Sequence, residues 1–277
     1  MPDFMELIRG LKKNCQALEK MLAGYEKNRT HPGISPYAQE RSLAKITELA
    51  AGLPEFDGQK MLRAWLENEK KVIETAKDDF RFSFGQELKK LCEPEGFPVR
   101  GQYPLLRIGI YTLKLNFEFG RAELYFGPEI ETIKTGLPLE PAALTEFIKK
   151  YHHELKSDKF DPAGFGRELR EAYRRKTGPA GKSSAEKMPL LEVFREMVLG
   201  RQKPQFLADP RRENFREYPR VRFAFELYRL RQADVPGLGI HLFTATFDAT
   251  ADRQAALWVP DNETGDGTYY SHLAFDR

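Results

Sequence analysis

Arginine and aromatic side chains crowd one stretch of this 277-residue chain in a pattern suited to phosphate. Between Arg167 and Arg231 there are 17 Lys or Arg against 9 Asp or Glu, a local net of +8. The rest of the chain holds 27 basic and 32 acidic residues, so the overall +3 conceals a strong asymmetry. A guanidinium is a planar fork that donates to two phosphate oxygens at once. Aromatic rings stack on unpaired bases, and Tyr173, Phe206, Phe215, Tyr218, Phe223 and Tyr228 lie among these arginines. The candidates form two groups. Arg167, Arg170 and Arg174, with Arg175 beside them, fall at helical spacing. Arg211, Arg212, Arg216, Arg220 and Arg222 fall in the densest run. Glu213 and Glu217 punctuate that run, so some arginines are expected to pair internally or with an acidic partner protein. The natural internal competitor is the segment after Arg231, with seven acidic residues against Arg253 and Arg277.

Other constellations are weaker. Glu118 and Glu123 share the polar face of a predicted hairpin with Lys114, and Glu129, Glu131 and Lys134 follow. Carboxylates and a lysine on adjacent strands are the parts of a divalent-metal nuclease. The spacing fits no strict motif, and charge pairs across a hairpin are the simpler reading. His152 and His153 point about 100° apart on a helix, which suits a solvated pair better than a metal site. His241 and His272, with Asp248 and Asp252, offer a His/Asp site across strands. Residues 261–267 faintly resemble a calcium loop but lack its spacing and terminal glutamate, so a hairpin loop is expected. Gly181-Lys182-Ser183 ends like a phosphate loop, but Lys176 stands where the first glycine is required. Cys15 falls on an apolar seam and Cys92 beside Glu93, so neither resembles an activated nucleophile. No catalytic residue, metal or cofactor is predicted.

Those side chains must be placed by a mixed set of elements. Phe4, Ile8, Leu11, Cys15, Leu18, Leu22 and Tyr25 repeat at alternating spacings of four and three, an a/d seam. It serves either a helical bundle within the chain or a partner coiled coil. Ser35-Pro36 starts a second helix that ends near Gly52. Asp57 caps a third, with Leu62, Trp65, Val72, Ile73 and Ala76 on one side, and a separate helical piece is expected over 86–92. After Pro98 the period changes to two, giving strands over 111–119 and 122–126 and a short one over 130–134. Pro141 and Asp161-Pro162 open further helices, and another runs over 189–201. Alternation over 220–227 suggests a strand, as do 240–247, 255–259 and 268–275, all in one sheet. The fold class is α+β: an antiparallel helical bundle over 1–95, then an α+β domain over 96–277 with mostly antiparallel strands and a Gly/Ser/Lys linker over 177–187.

No apolar run is long enough to cross a bilayer, and the N-terminal residues lack the continuous apolar core of a secretory signal. Two cysteines exclude a disulfide framework. The expectation is a cytoplasmic, non-enzymatic accessory subunit. It would assemble through Phe4, Ile8, Leu11, Leu18 and Leu22 and offer its basic region to DNA or RNA, as in a bacterial multi-protein system acting on foreign DNA. The alternatives are a scaffold whose basic segment meets an acidic protein, and the metal-dependent nuclease.

Overall fold

A computed structural model describes residues 4–31, 34–156, 159–177, 186–233 and 235–276. The Pro32-Gly33 break, most of the 177–187 linker and the Gly-Lys-Ser stretch lie outside the described residues. The fold is α+β, with helices leading into antiparallel sheet and further helices. Two compact units divide it: one formed by residues up to 95 with 115–122 and 136–147, the other by 96–114, 123–135 and the remainder from 148.

The first unit is built on α1 (Phe4–Arg29), α2 (Pro36–Ala51) and α3 (Gln59–Cys92). The Ser35 hydroxyl caps α2 by accepting from the Ala38 N–H at 3.3 Å, with proline at the first helical position. Gly58 enters α3 at φ 113°, a conformation open to glycine. Leu18, Tyr25, Leu43, Ile46, Leu66 and Ile73 form the shared core. Within it the Tyr25 hydroxyl donates to buried Glu69 at 2.9 Å, and Arg29 pairs with the same carboxylate at 2.5 Å. Two expectations are corrected. The 86–92 piece is the end of one continuous 34-residue α3, because no proline lies between Ala76 and Gln86 and a single glycine, Gly85, costs a helix only about 1 kcal/mol. The a/d seam is buried only in its second half. Phe4, Ile8 and Leu11 are 65%, 58% and 37% exposed, and Cys15 is exposed rather than sealed in the seam.

Five strands form an antiparallel meander in sequence order: β1 (Val99–Gln102), β2 (Leu105–Ile108), β3 (Tyr111–Asn116), β4 (Arg121–Phe126) and β5 (Glu131–Pro138). The first two are four residues each, too short for alternation to register in the sequence. Next come α4 (Pro141–Lys156), α5 (Pro162–Thr177), β6 (Met188–Pro189), α6 (Leu190–Gly200), α7 (Pro204–Ala208), α8 (Arg220–Ala233), β7 (Ile240–Thr244), α9 (Phe247–Thr250), β8 (Leu257–Pro260) and β9 (Gly267–Phe275). The C-terminal strands make a separate sheet in which β9 pairs with β6, β7 and β8, all antiparallel. One common sheet is therefore not formed.

The strand expected over 220–227 is helix α8. Val221, Phe223, Ala224, Phe225, Leu227 and Leu230 are all buried. A helix buried on every side loses its 3.6-residue signature, and a chance alternation then imitates a strand. In the second unit α8 packs on α5 and β8, and α6 packs on α5 and β9. Glycines let Trp258 seat there: a Cβ on either Gly127, at φ 66°, or Gly267 would meet its indole ring.

Candidate nucleic-acid interface

The end of α6 organises the arginine cluster. Helix α6 stops at Gly200, and Pro204 starts α7, leaving Arg201–Lys203 as a tight link. The amide of buried Gln202 locks the following segment. Its Oε1 accepts from the Arg216 N–H at 2.8 Å, and its Nε2 donates to the Arg216 carbonyl at 3.0 Å. This two-way bond carries residues 211–218 to the end of α6.

Arg201 lies at the centre. Its guanidinium stacks 3.9 Å from the Tyr218 ring centroid, pairs with Glu168 of α5 at 2.8 Å and reaches Glu226 of α8 at 3.5 Å. The buried Tyr218 hydroxyl donates to Glu226. Arg222, one turn before Glu226, sits 4.0 Å from its other oxygen and donates to the Glu154 carbonyl at 3.3 Å. Burial lifts the Glu226 carboxyl above the usual glutamate range, against the pull of Tyr218 and the two arginines. Burial also holds the Tyr218 hydroxyl protonated, and the neighbouring Glu226 charge adds to this. Arg201, Arg216, Glu217, Tyr218, Arg222 and Glu226 together line a cleft of about 210 Å³. Arg175 of α5 lies against Gly200, where a Cβ would meet its guanidinium.

The nine arginines singled out by the sequence divide accordingly. Arg175, Arg216 and Arg222 gather round the end of α6. Exposed Arg211 and Arg212 stand on the segment leading to it, and Arg211 pairs with exposed Asp209 at 2.8 Å. On α5, exposed Arg174 remains outward, while Arg167 approaches Asp161 at 3.7 Å. Two arginines turn elsewhere. Arg170 donates to the Gly237 and Leu238 carbonyls. Arg220 pairs with buried Glu131 at 2.8 Å, a carboxylate also held by Arg253 at 2.9 Å. Among the described residues, Arg174, Arg175, Arg212 and Arg216 form no ion pair. The sequence reading named Tyr218 among the aromatics but missed Arg201 and its grouping with Tyr218 and Glu226. Arg201 carried no local signal, because its contacts with Tyr218, Glu226, Glu168 and Phe165 lie 17 to 36 positions away.

The other constellations resolve separately. Lys114 pairs with Glu129 at 2.9 Å, Tyr125 donates to Glu123, and Glu118 lies in the exposed turn. No three His, Cys, Asp or Glu side chains are grouped to hold a metal among the described residues. His152 is not half of a solvated pair. It shares a 2.9 Å hydrogen bond with the Tyr111 hydroxyl and packs on Phe97 and Phe225, and burial pushes its pKa down to about 4. His153 is exposed. His241 pairs with Asp276 at 2.7 Å, and His272 bonds Ser271. The 261–266 loop joins β8 to β9, with Asn262 Oδ1 accepting from the N–H groups of Thr264, Gly265 and Asp266. Buried Cys92 contacts the Thr145 hydroxyl at 3.3 Å, and burial pushes its thiol up.

No helix among the described residues is long and apolar enough to cross a membrane. Compared with known proteins, the chain matches no protein-family model, no curated protein and no solved structure.

Proposed function

We propose that this chain is a non-enzymatic subunit that holds DNA or RNA through the arginine surface around the end of α6. The observation that carries the reading is the convergence there of Arg175, Arg201, Arg216 and Arg222, with exposed Arg211 and Arg212 on the adjoining segment. Arg201 and Arg222 are partly neutralised by Glu168 and Glu226, so they set the cleft's shape. The outer arginines supply phosphate contacts. The Arg211–Asp209 pair is exposed on both sides; such pairs are worth little and exchange readily for a phosphate. Phe215, at 39% exposure beside Arg216, offers a ring for an unpaired base.

The test is fluorescence anisotropy with single-stranded and duplex oligonucleotides of DNA and RNA across a salt series. Affinity is expected to fall steeply with salt. Arg211→Glu, Arg212→Glu and Arg216→Glu together should abolish binding, and each single Arg→Ala should reduce the logarithmic salt slope by about one. Undiminished binding by the triple variant would overturn the site. Absence of binding to any oligonucleotide would favour an acidic protein as the partner. A second observation supports an assembly role: the apolar residues Phe4, Ile8 and Leu11 in the first half of α1 stand exposed.

A further inference from the structure

Glu226 stands between two arginines of the cleft and is held loosely by both. Its side chain is largely buried, at 9% exposure for the residue. One oxygen accepts from the Tyr218 hydroxyl and lies 3.5 Å from Arg201; the other lies 4.0 Å from Arg222. Charge-assisted N–H to oxygen bonds close to about 2.7–2.9 Å, so neither guanidinium is closed on this carboxylate. We propose that Glu226 is the gate of the arginine site: ionised, it holds the place of a phosphate between Arg201 and Arg222, and a nucleic-acid phosphodiester enters the cleft as Glu226 takes up a proton. The inference rests on the nucleic-acid reading above and gives that site its regulation.

The balance of charge in the cleft carries the proposal. Arg201, Arg216 and Arg222 line it together with Glu217 and Glu226, and Glu168 of α5 adds a third carboxylate, paired with Arg201. Farther out, α4 brings exposed Glu154, whose carbonyl accepts from Arg222, and α5 brings exposed Arg175 against Gly200, so these two charges offset each other. Tyr151 of α4 and Tyr218 keep their protons, because burial lifts both hydroxyls. With Glu226 ionised, the three arginines and three carboxylates cancel, and an entering phosphate meets a carboxylate that burial leaves poorly screened. With Glu226 neutral, one positive charge is in excess, which matches the single negative charge of a phosphodiester. The protonated carboxyl also gains an O–H to donate. Burial has already lifted this carboxyl above the glutamate range, and a phosphate beside it lifts it further. Proton and phosphate therefore bind together, each favouring the other by the same factor. Affinity rises as pH falls through the pKa of the bound form and levels off below that of the free form. The outer arginines hold the strand at neutral pH, and the inner pair joins them as Glu226 is neutralised.

Fluorescence anisotropy of the full chain with a 5′-hydroxyl oligothymidylate, from about pH 7.5 down to about pH 5 at fixed salt, tests this. Neither the phosphodiesters nor thymine titrates in that range. Wild-type affinity should rise roughly tenfold toward the acid end, the coupling of about one pKa unit. Glu226→Gln keeps an oxygen for the Tyr218 hydroxyl. It should bind at the neutral end about as tightly as the wild type does at the acid end and lose most of the slope. Glu217→Gln removes an exposed carboxylate from the same cleft, and should raise affinity evenly while keeping the slope. Tyr218→Phe removes a hydrogen bond that favours the charged carboxylate, and should move the rise to higher pH. Circular dichroism at each pH checks that each variant is folded. A wild-type slope in Glu226→Gln would overturn the gate while leaving nucleic-acid binding intact. Equal flattening by Glu217→Gln, or a rise that Tyr218→Phe does not move, would overturn it in the same way. Failure of the wild type to bind at any pH would overturn the nucleic-acid reading and the gate with it.

Discussion

His152 shows how folding alters one side chain's chemistry. Phe97, Tyr111 and Phe225 surround its ring, and Lys156 lies one turn on. Burial is the main reason its pKa falls to about 4 from the ordinary 6.5, and the Lys156 charge adds to it. The unfolded chain therefore binds a proton at this site that the folded chain refuses across that window. Stability rises with pH between about 4 and 6.5 and is lost as pH falls through it, with a contribution of at most about 3 kcal/mol. His152→Gln removes the titrating group. Urea melts of the variant between pH 4 and 7 should show a flatter slope than the wild type. An identical slope would assign the acid sensitivity elsewhere.

Elements that keep a polar face were legible in the sequence, and so was the short buried β8; the largely enclosed helix α8 and the four-residue β1 and β2 were not. Helix α5 was read correctly because Phe165, Leu169 and Tyr173 face inward while Arg167 and Arg174 stay out. The β3–β4 hairpin was equally plain from its alternation. Helix α8 was misread because Phe223, Ala224 and Phe225 are buried in succession, which neither template describes. The α1 seam misled in the opposite sense: its periodicity is real, but periodicity does not say which chain covers it. The same limit applied to the arginine site, where Arg201 depends on Glu168, Tyr218 and Glu226 from separate elements. These burial differences predict a sharp contrast. Phe225→Ala empties a fully enclosed site and should cost about 3–5 kcal/mol. Ile8→Ala, at 58% exposure, should change the stability of dilute protein by about 0.5 kcal/mol or less. Guanidinium melts of both variants at low concentration check the pair. A large loss for Ile8→Ala there would mean that the first half of α1 is covered by its own chain.

At the scale of the whole molecule the question is whether the acidic C-terminal segment neutralises the basic one. The ion pairs show where that acidity goes. Asp261 pairs with Arg231 at 2.8 Å, Glu263 with Lys156 at 2.7 Å, and Asp276 with His241. Arg253, one of the segment's few cations, turns to Glu131. The charges facing Arg201 and Arg222 come instead from Glu168 and Glu226, inside the basic stretch itself. Among the described residues the acidic segment thus meets the basic stretch at its Arg231 end, and none of its carboxylates pairs with Arg211, Arg212 or Arg216. Neutralising the acidic loop is then a decisive comparison. If the loop competed with nucleic acid for the arginine surface, Asp261→Asn with Glu263→Gln would raise affinity severalfold, most at low salt, where charge is least screened. If the loop binds only Arg231 and Lys156, the double variant should match the wild-type dissociation constant within about twofold, the small residue of a long-range change in net charge. The Arg211, Arg212 and Arg216 reversal should abolish binding under the same conditions. Measuring both variants at two ionic strengths separates the cases. A severalfold gain at low salt in the loop variant would make the acidic segment an internal inhibitor of the arginine site rather than a bystander.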